Sequence, residues 1–299
     1  MTDPDHGAHP DVADVRRFWE PLGLPGVFDV HVHFLPPNIQ RAVYAVFDAA
    51  GPKIGREWPI RYRQPHAERA ELLRAMGVRR FPTLPYAHKP GVAEYLNDWA
   101  AGFKRDVPES LWSATFYPEE SAPAYVAERV AAGVEVFKVH LQVGEFHVDD
   151  PLLDGVWGLL EDAGTPIVLH AGSGPVGNEF TGPASTERLL RRHPRLRLVL
   201  AHMGAPECAD FLALAETYAE VRLDTTMVFT DFFPPYPDEL VPRLRDLGLA
   251  GKVLLGSDFP TIPYPYAHQL EGLARLDLGD DWLRAVCWEN GLRLLGRHG

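Results

Sequence analysis

The chain has 299 residues, 46% of them hydrophobic and 23% charged, the balance of a globular protein long enough to bury a large core. Its net charge of −12 and pI near 5.5 argue against a nucleic-acid partner, which asks for a basic patch, yet leave room for an anionic small substrate held by local cations in a cleft. No apolar run is long enough for a membrane span, Met1-Thr2-Asp3-Pro4-Asp5-His6-Gly7 lacks a signal-peptide layout, and Cys208 and Cys287 read as buried free thiols, so no membrane partner is expected and the cytoplasm is the default expectation.

Residues 1–25 carry Asp, His, Gly and Pro and read as an N-terminal extension laid over the surface, which makes His6 and His9 poor ligand candidates. Residues 26–299 read as one domain. It opens on Phe28-Asp29-Val30-His31-Val32-His33-Phe34, where apolar and polar residues alternate with the period of a strand. Alternation places Asp29, His31 and His33 on one face and Phe28, Val30 and Val32 on the other. Two imidazoles at a strand's end suit one metal ion, although two unrelated histidines give the same short pattern. Asp29 sits a step deeper, which suits a structural hydrogen-bonding role. Residues 38–50 then have helical apolar spacing, and 51–65 are rich in Gly, Pro, Arg and Trp. This insert at 35–65 is long for a connection between first and second strands, so it is a candidate lid or specificity loop.

From there the chain alternates. A helix over 66–76 stops at Gly77, before a weaker second strand at 78–84. A helix over 92–104 leads to the third strand, 111–116, and a helix over 122–132 stops at Gly133 before the fourth, 134–140. A helix over 152–163 stops at Gly164 before the fifth strand, 166–170. A helix over 185–192 precedes the sixth, 196–202, and one over 206–218 the seventh, 221–224. A helix over 238–247 precedes the eighth strand, 253–258, and helices over 266–276 and 281–295 close the chain. Eight strand–helix units predict a (β/α)8 barrel, and the continuous apolar runs at 167–169 and 198–200 suit strands buried on both faces. A doubly wound open sheet is the alternative, but no Gly-x-Gly-x-x-Gly follows any strand.

In such barrels the catalytic groups stand at the C-terminal strand ends. Those ends carry His31 and His33, Lys138 and His140, His170, His202 and Asp258. With 13 histidines in 299 residues, one or none is expected at eight strand ends by chance. Imidazole nitrogens and carboxylate oxygens are the ligands of zinc and similar ions, whose bound water ionises near neutral pH. A carboxylate beside them can hold the metal, take the water's proton and deliver it to a leaving group. Lys138 and His140 face the same way on their strand and either can bind a substrate carboxylate; a lysine paired with a buried carboxylate is the plainer account of Lys138. His88 after the second strand can reach the mouth, and Tyr117 after the third, with the Met227-Val228-Phe229 loop, is placed to line a pocket. Gly172-Ser173-Gly174 can let a ligand approach the backbone closely, or be a turn.

His-x-His at 31–33, His170-Ala171-Gly172, Ala201-His202-Met203-Gly204 and Gly256-Ser257-Asp258-Phe259-Pro260, with the closing 288–296 segment, resemble the amidohydrolase superfamily. The resemblance spans about residues 27–296. It is nearest to the amidohydrolase-related group that contains aminocarboxymuconate semialdehyde decarboxylase and 2-pyrone-4,6-dicarboxylate hydrolase. It implies a distorted (β/α)8 barrel holding a divalent metal, usually zinc, on residues matching His31, His33, His170 and Asp258. His202 matches the histidine that polarises the substrate or orients the metal-bound water. Many superfamily members bridge two metals with a carboxylated lysine near Lys138, but Lys138-Val139-His140 fits the wording that goes with a single metal, so one ion is favoured. The resemblance also implies a small-molecule substrate, and the superfamily often forms homodimers.

The favoured reading is a metal-dependent hydrolase of a small, carboxylated or cyclic ester, lactone or amide. Asp258 moves the proton and His202 stabilises charge on oxygen. The alternative is a non-oxidative decarboxylase using the same residues. A barrel that binds a ligand without turnover is a third reading, which a missing ligand residue would favour; none is missing.

Overall fold

The computed structural model describes residues 9–296; His6 and the rest of the leading segment lie outside the described residues. Nine short strands run parallel: β1 (Val27–Phe28), β2 (Val78–Pro82), β3 (Ser110–Leu111), β4 (Ser113–Thr115), β5 (Val136–His140), β6 (Ile167–His170), β7 (Leu198–Leu200), β8 (Val221–Asp224) and β9 (Val253–Leu254). They form two sheets, β1-β2-β3 and β4 through β9 in sequence order, because the third expected strand divides at Trp112. The Val30 amide donates to the Leu255 carbonyl at 2.8 Å and the His33 amide to Phe259 at 2.7 Å, which joins the first strand to the last. The result is a (β/α)8 barrel, opened at one seam and irregular at the other.

The irregular seam has a local cause. Asp29 Oδ1 accepts from the amides of His31 (3.0 Å) and Ser257 (3.1 Å), donors that a regular ladder would pair with backbone carbonyls. The expected alternation of 28–34 therefore breaks after Val30. Phe28 and Val30 join the inner cluster with Val136 and Val168, residues that share strand faces with Lys138, His140 and His170, whereas Val32 joins the larger cluster between barrel and helices. Asp29 does not share the histidines' surroundings: its Oδ2 accepts from Tyr266 Oη at 2.8 Å. Burial pushes its carboxyl up to about 7 against these three donors, and the structural role expected for it describes what it does.

Elsewhere the elements follow the pattern of the sequence. Ile167–Leu169 and Leu198–Leu200 are fully buried, and Gly77 and Gly164 end their helices with φ of 85° and 63°. At the N-terminus, Asp11–Trp19 is a helix whose Val15 and Trp19 are buried; Trp19 Nε1 donates to the Met76 carbonyl at 2.9 Å. The insert folds as the helix Pro37–Asp48, the short helix Gly51–Ile54 and an extended return. Its return is pinned by Trp58 Nε1 donating to the Thr261 carbonyl (2.7 Å) and by the Arg61 amide donating to Ile262 (3.0 Å).

Candidate active site

The C-terminal ends of the strands open into a cavity of about 610 Å³, within the range of small-molecule sites. His31, His33, Lys138, His140, His170, His202 and Asp258 all line it, so seven strand-end side chains from distant parts of the sequence share one space. One candidate metal-ligand group appears among the described residues: His31, His33 and Asp258, with ligand atoms all within 4.8 Å of one another.

The hydrogen bonds behind these side chains fix their tautomers. His31 Nδ1 lies 2.9 Å from Asp224 Oδ2. Asp224 is fully buried, and although burial opposes its ionisation, the neighbouring His31 holds the carboxyl well below the usual range. An ionised carboxylate only accepts, so His31 Nδ1 carries the proton and Nε2 is bare. His33 Nδ1 likewise faces an acceptor, the Leu84 carbonyl at 2.9 Å, which leaves Nε2 bare and 3.0 Å from Asp258 Oδ1. Two acceptors at that distance repel unless a proton or a cation sits between them. Burial and then Lys138 hold the His31 imidazole down at about 3, which keeps it in the neutral form that a metal needs. Burial also holds His140 and His170 well below their ordinary value, and keeps His202 low.

His170 shares the cavity but not the tight group. Its ring stacks on His140 with centroids 3.9 Å apart, lies 4.9 Å from His202, and its Nε2 is 3.3 Å from the Gly174 carbonyl. His202 Nδ1 faces the Thr226 carbonyl at 3.1 Å, and its amide donates to Asp224 Oδ1 at 2.9 Å. Lys138 is fully buried, and its Nζ donates to His31 Nε2 at 3.2 Å. Burial brings it down to about 8, opposed by Asp224 and Asp258.

The backbone is shaped around these groups. His202, Met227 and Asp258 have φ of 54°, 64° and 66°, a left-handed region that side chains rarely occupy and that clusters at functional sites. At Gly256 a Cβ would lie 2.2 Å from Thr226 Oγ1 and 2.9 Å from His31 Cβ, so only glycine lets the last strand pass this close to His31. At Gly172 a Cβ would meet the Gly204 carbonyl carbon at 2.6 Å; the close approach there is to the chain itself rather than to a ligand.

Two expected pocket residues stand elsewhere. Tyr117 Oη donates to the Gly144 carbonyl at 3.0 Å and its ring packs on Phe146, which turns it away from the cavity. His88 is exposed on its loop and does not line the cavity. Of the 227–229 loop, Met227 reaches the cavity, while Val228 is buried and Phe229 packs on Tyr236.

Sequence reasoning missed Asp224 and Tyr86. Asp224 ends its strand as His140 and His170 end theirs, and that position was its signal. Tyr86 follows the second strand in Leu84-Pro85-Tyr86, and its ring lies 5.4 Å from both His33 and His140. The insert supplies one side of the cavity through Val46, Phe47, Lys53, Ile54 and Trp58, and Phe232 and Phe233 supply another.

The family model described as Amidohydrolase matches residues 28–297. No curated protein matches the chain. Among solved structures, an uncharacterized TIM-barrel protein from Bordetella bronchiseptica superposes with a TM-score of 0.72 at 19% identity, over 91% of this chain and 98% of that one. A 5-carboxyvanillate decarboxylase from Novosphingobium aromaticivorans, complexed with manganese and 4-hydroxy-3-methoxy-5-nitrobenzoic acid, gives 0.63 at 12% identity, over 92% and 97%. A probable 2-pyrone-4,6-dicarboxylic acid hydrolase from Acinetobacter baumannii, with citric acid bound, gives 0.59 at 12% identity, over 91% and 99%. No described helix is long and apolar enough to cross a membrane.

Proposed function

The chain belongs to the amidohydrolase family, and from that premise we propose that it is a metal-dependent hydrolase of a small carboxylated or cyclic substrate, an ester, lactone or amide. One observation carries this reading: the bare His33 Nε2 faces Asp258 Oδ1 at 3.0 Å, with His31 Nε2 3.8 Å from the same oxygen, an arrangement of acceptors that calls for a cation. His31, His33 and Asp258 would hold a divalent ion, with His170 in the same cavity as the remaining candidate, and two imidazoles with a carboxylate suit zinc. When bound, such an ion supplies Lewis acidity and an activated water.

The chain's own groups do the rest. Asp258 Oδ1 lies 3.0 Å from His33 Nε2 and 3.8 Å from His31 Nε2, where its carboxylate can receive a proton and return it to the leaving group. His202, with Nδ1–H committed to the Thr226 carbonyl, presents a bare Nε2. It therefore accepts, and orients the attacking water; only once protonated can it donate to a developing oxyanion. Asp224 bridges the two, accepting from the His31 ring and the His202 amide. Lys138 donates to His31, and an ion held by His31 would compete with that hydrogen bond.

A second reading, non-oxidative decarboxylation of an aromatic acid, is favoured by the rings of Trp58, Tyr86, Phe232 and Phe233 in the cavity wall. The test joins metal analysis to two assays: acid release from lactones and aryl esters, and CO2 release from aromatic acids. The expected result is about one equivalent of divalent metal, lost in His31→Ala, with acid release dependent on it. Protein that stays metal-free after zinc or manganese is supplied would end both readings; CO2 release without acid release would select the second.

A further inference from the structure

The cavity has two ends of different chemistry. At the inner end each charged side chain already has a neighbour in the histidine cluster: Asp258 Oδ1 lies 3.0 Å from His33 Nε2, and Lys138 Nζ donates to His31 Nε2. Away from the histidines the wall is apolar: Val46 and Ile54 from the insert and Val176 line the same cavity, with Val46 and Val176 exposed. Into that wall the insert places one charge, Lys53, exposed and with no hydrogen-bond or ion-pair partner for its ammonium among the described residues. Asp258 supplies the lone carboxylate among the residues that line the cavity, and it belongs to the inner group. In a chain of net charge −12, an unpaired lysine opening onto an apolar cavity is a local reversal of sign.

We propose that Lys53 anchors a distal carboxylate of the substrate, so that the ligand is an amphipathic anion with its reacting group at the histidine end, its apolar body along the insert wall and its carboxylate at the mouth. This deepens the functional reading above and rests on it for the reacting end. The carboxylate end stands on separate observations. A ligand carboxylate meets no competing acid there, and the ammonium gives up no existing partner to receive it. The short helix that carries Lys53 is separated by two residues from the helix that carries Val46, so one insert supplies both the apolar contact and the charge. The insert then works as a specificity element, and its lysine discriminates by charge.

The test is direct binding, because the natural substrate is not needed for it. Zinc-loaded protein is titrated with terephthalate and with its monomethyl ester, read by calorimetry and by the part of the tryptophan fluorescence change that is lost in Trp58→Phe, since Trp58 stands in the cavity wall. These probes keep one carboxylate for the inner end and differ only in the charge at the other. The wild type should bind terephthalate about tenfold more tightly than the monoester, with the preference shrinking as salt rises. Lys53→Ala and Lys53→Glu should remove or invert the preference while leaving affinity for the monoester unchanged, and Lys53→Arg should retain it. Equal affinities in the wild type, a preference that survives Lys53→Ala, or no binding of either probe to folded, metal-loaded protein would overturn the proposal. Metal content and turnover are measured on the same samples. Charge-selective binding without any turnover would sink the hydrolase reading and leave the anchor standing; turnover without charge selectivity would do the reverse.

Discussion

The floor of the cavity and its cover are built on opposite terms. On the floor, His31, His33 and His202 are at most 7% exposed, and a ring nitrogen of each is tied to Asp224, the Leu84 carbonyl or the Thr226 carbonyl. The backbone there holds left-handed conformations at His202 and Asp258 that only a tightly determined surrounding maintains. In the cover, the helix Pro37–Asp48 has Gln40 as its one buried residue, and Val46 is 70% exposed. The floor is fixed before any ligand arrives, whereas the cover presents groups that await one. Rigid placement belongs to chemistry and open valence to recognition.

The largest test of that contrast is Asp224, which carries the floor without touching the cavity. Asp224→Asn keeps the shape but loses the charge that keeps the His31 proton on Nδ1. Metal affinity should fall by about 10- to 100-fold, the usual cost of removing a partner behind a ligand. Asp224→Ala should in addition destabilise the fold by about 3–5 kcal/mol, because the His31 ring and the amides of His202 and Thr226 lose a buried acceptor. Metal titration followed by chelator competition reads the first, and urea unfolding the second. Unchanged metal affinity in Asp224→Asn would mean that the floor is not pre-set in the way described.

How much of this was legible in the sequence follows the same division. The floor is read by strand ends, since a side chain's place at the end of a strand follows from local period, and seven residues so marked do share one cavity. Where a side chain intercepts the ladder, period fails: Asp29 captures the His31 amide, and the face of residues 28–30 is not the face of 31–33. Tyr117 and His88 were assigned by loop position alone, and a loop's direction depends on tertiary partners such as the Gly144 carbonyl. The cover was recognisable only as long and unusual. That it would bring Lys53 and Val46 to the cavity depends on the Trp58 anchor to Thr261, a contact across 203 positions that no local signal encodes.

Trp58 therefore separates the regions at an intermediate scale. Trp58→Ala removes that hydrogen bond and the ring's contacts with Phe47 and Phe232, whose centroids lie 5.7 and 5.2 Å away. A stability loss of about 3 kcal/mol is expected, at the low end for a buried tryptophan because the insert can relax toward solvent. Hydrogen exchange should quicken across residues 37–58 and stay unchanged across 198–204, with metal content intact. Loss of metal in this variant would show that the cover also sets the floor.

The smallest expected effect is at Val46, and it isolates recognition from folding. With 70% of its surface exposed, this side chain contributes little to the folded state, so Val46→Ser should change stability by no more than about 0.5 kcal/mol. It nevertheless lines the cavity, and a ligand that covers it would withdraw its two methyl groups from water. At about 0.8 kcal/mol per buried carbon, an apolar ligand should bind Val46→Ser roughly fourfold to fifteenfold more weakly, while a ligand too short to reach the insert is indifferent. Measuring both ligands against both proteins gives a cycle in which only the long ligand senses the substitution. Equal losses for the two would mean that the helix shifts as a whole and that its exposed valine is part of the scaffold; a loss confined to the long ligand makes the cover's exposed apolar surface the part of the molecule that folding leaves for its substrate.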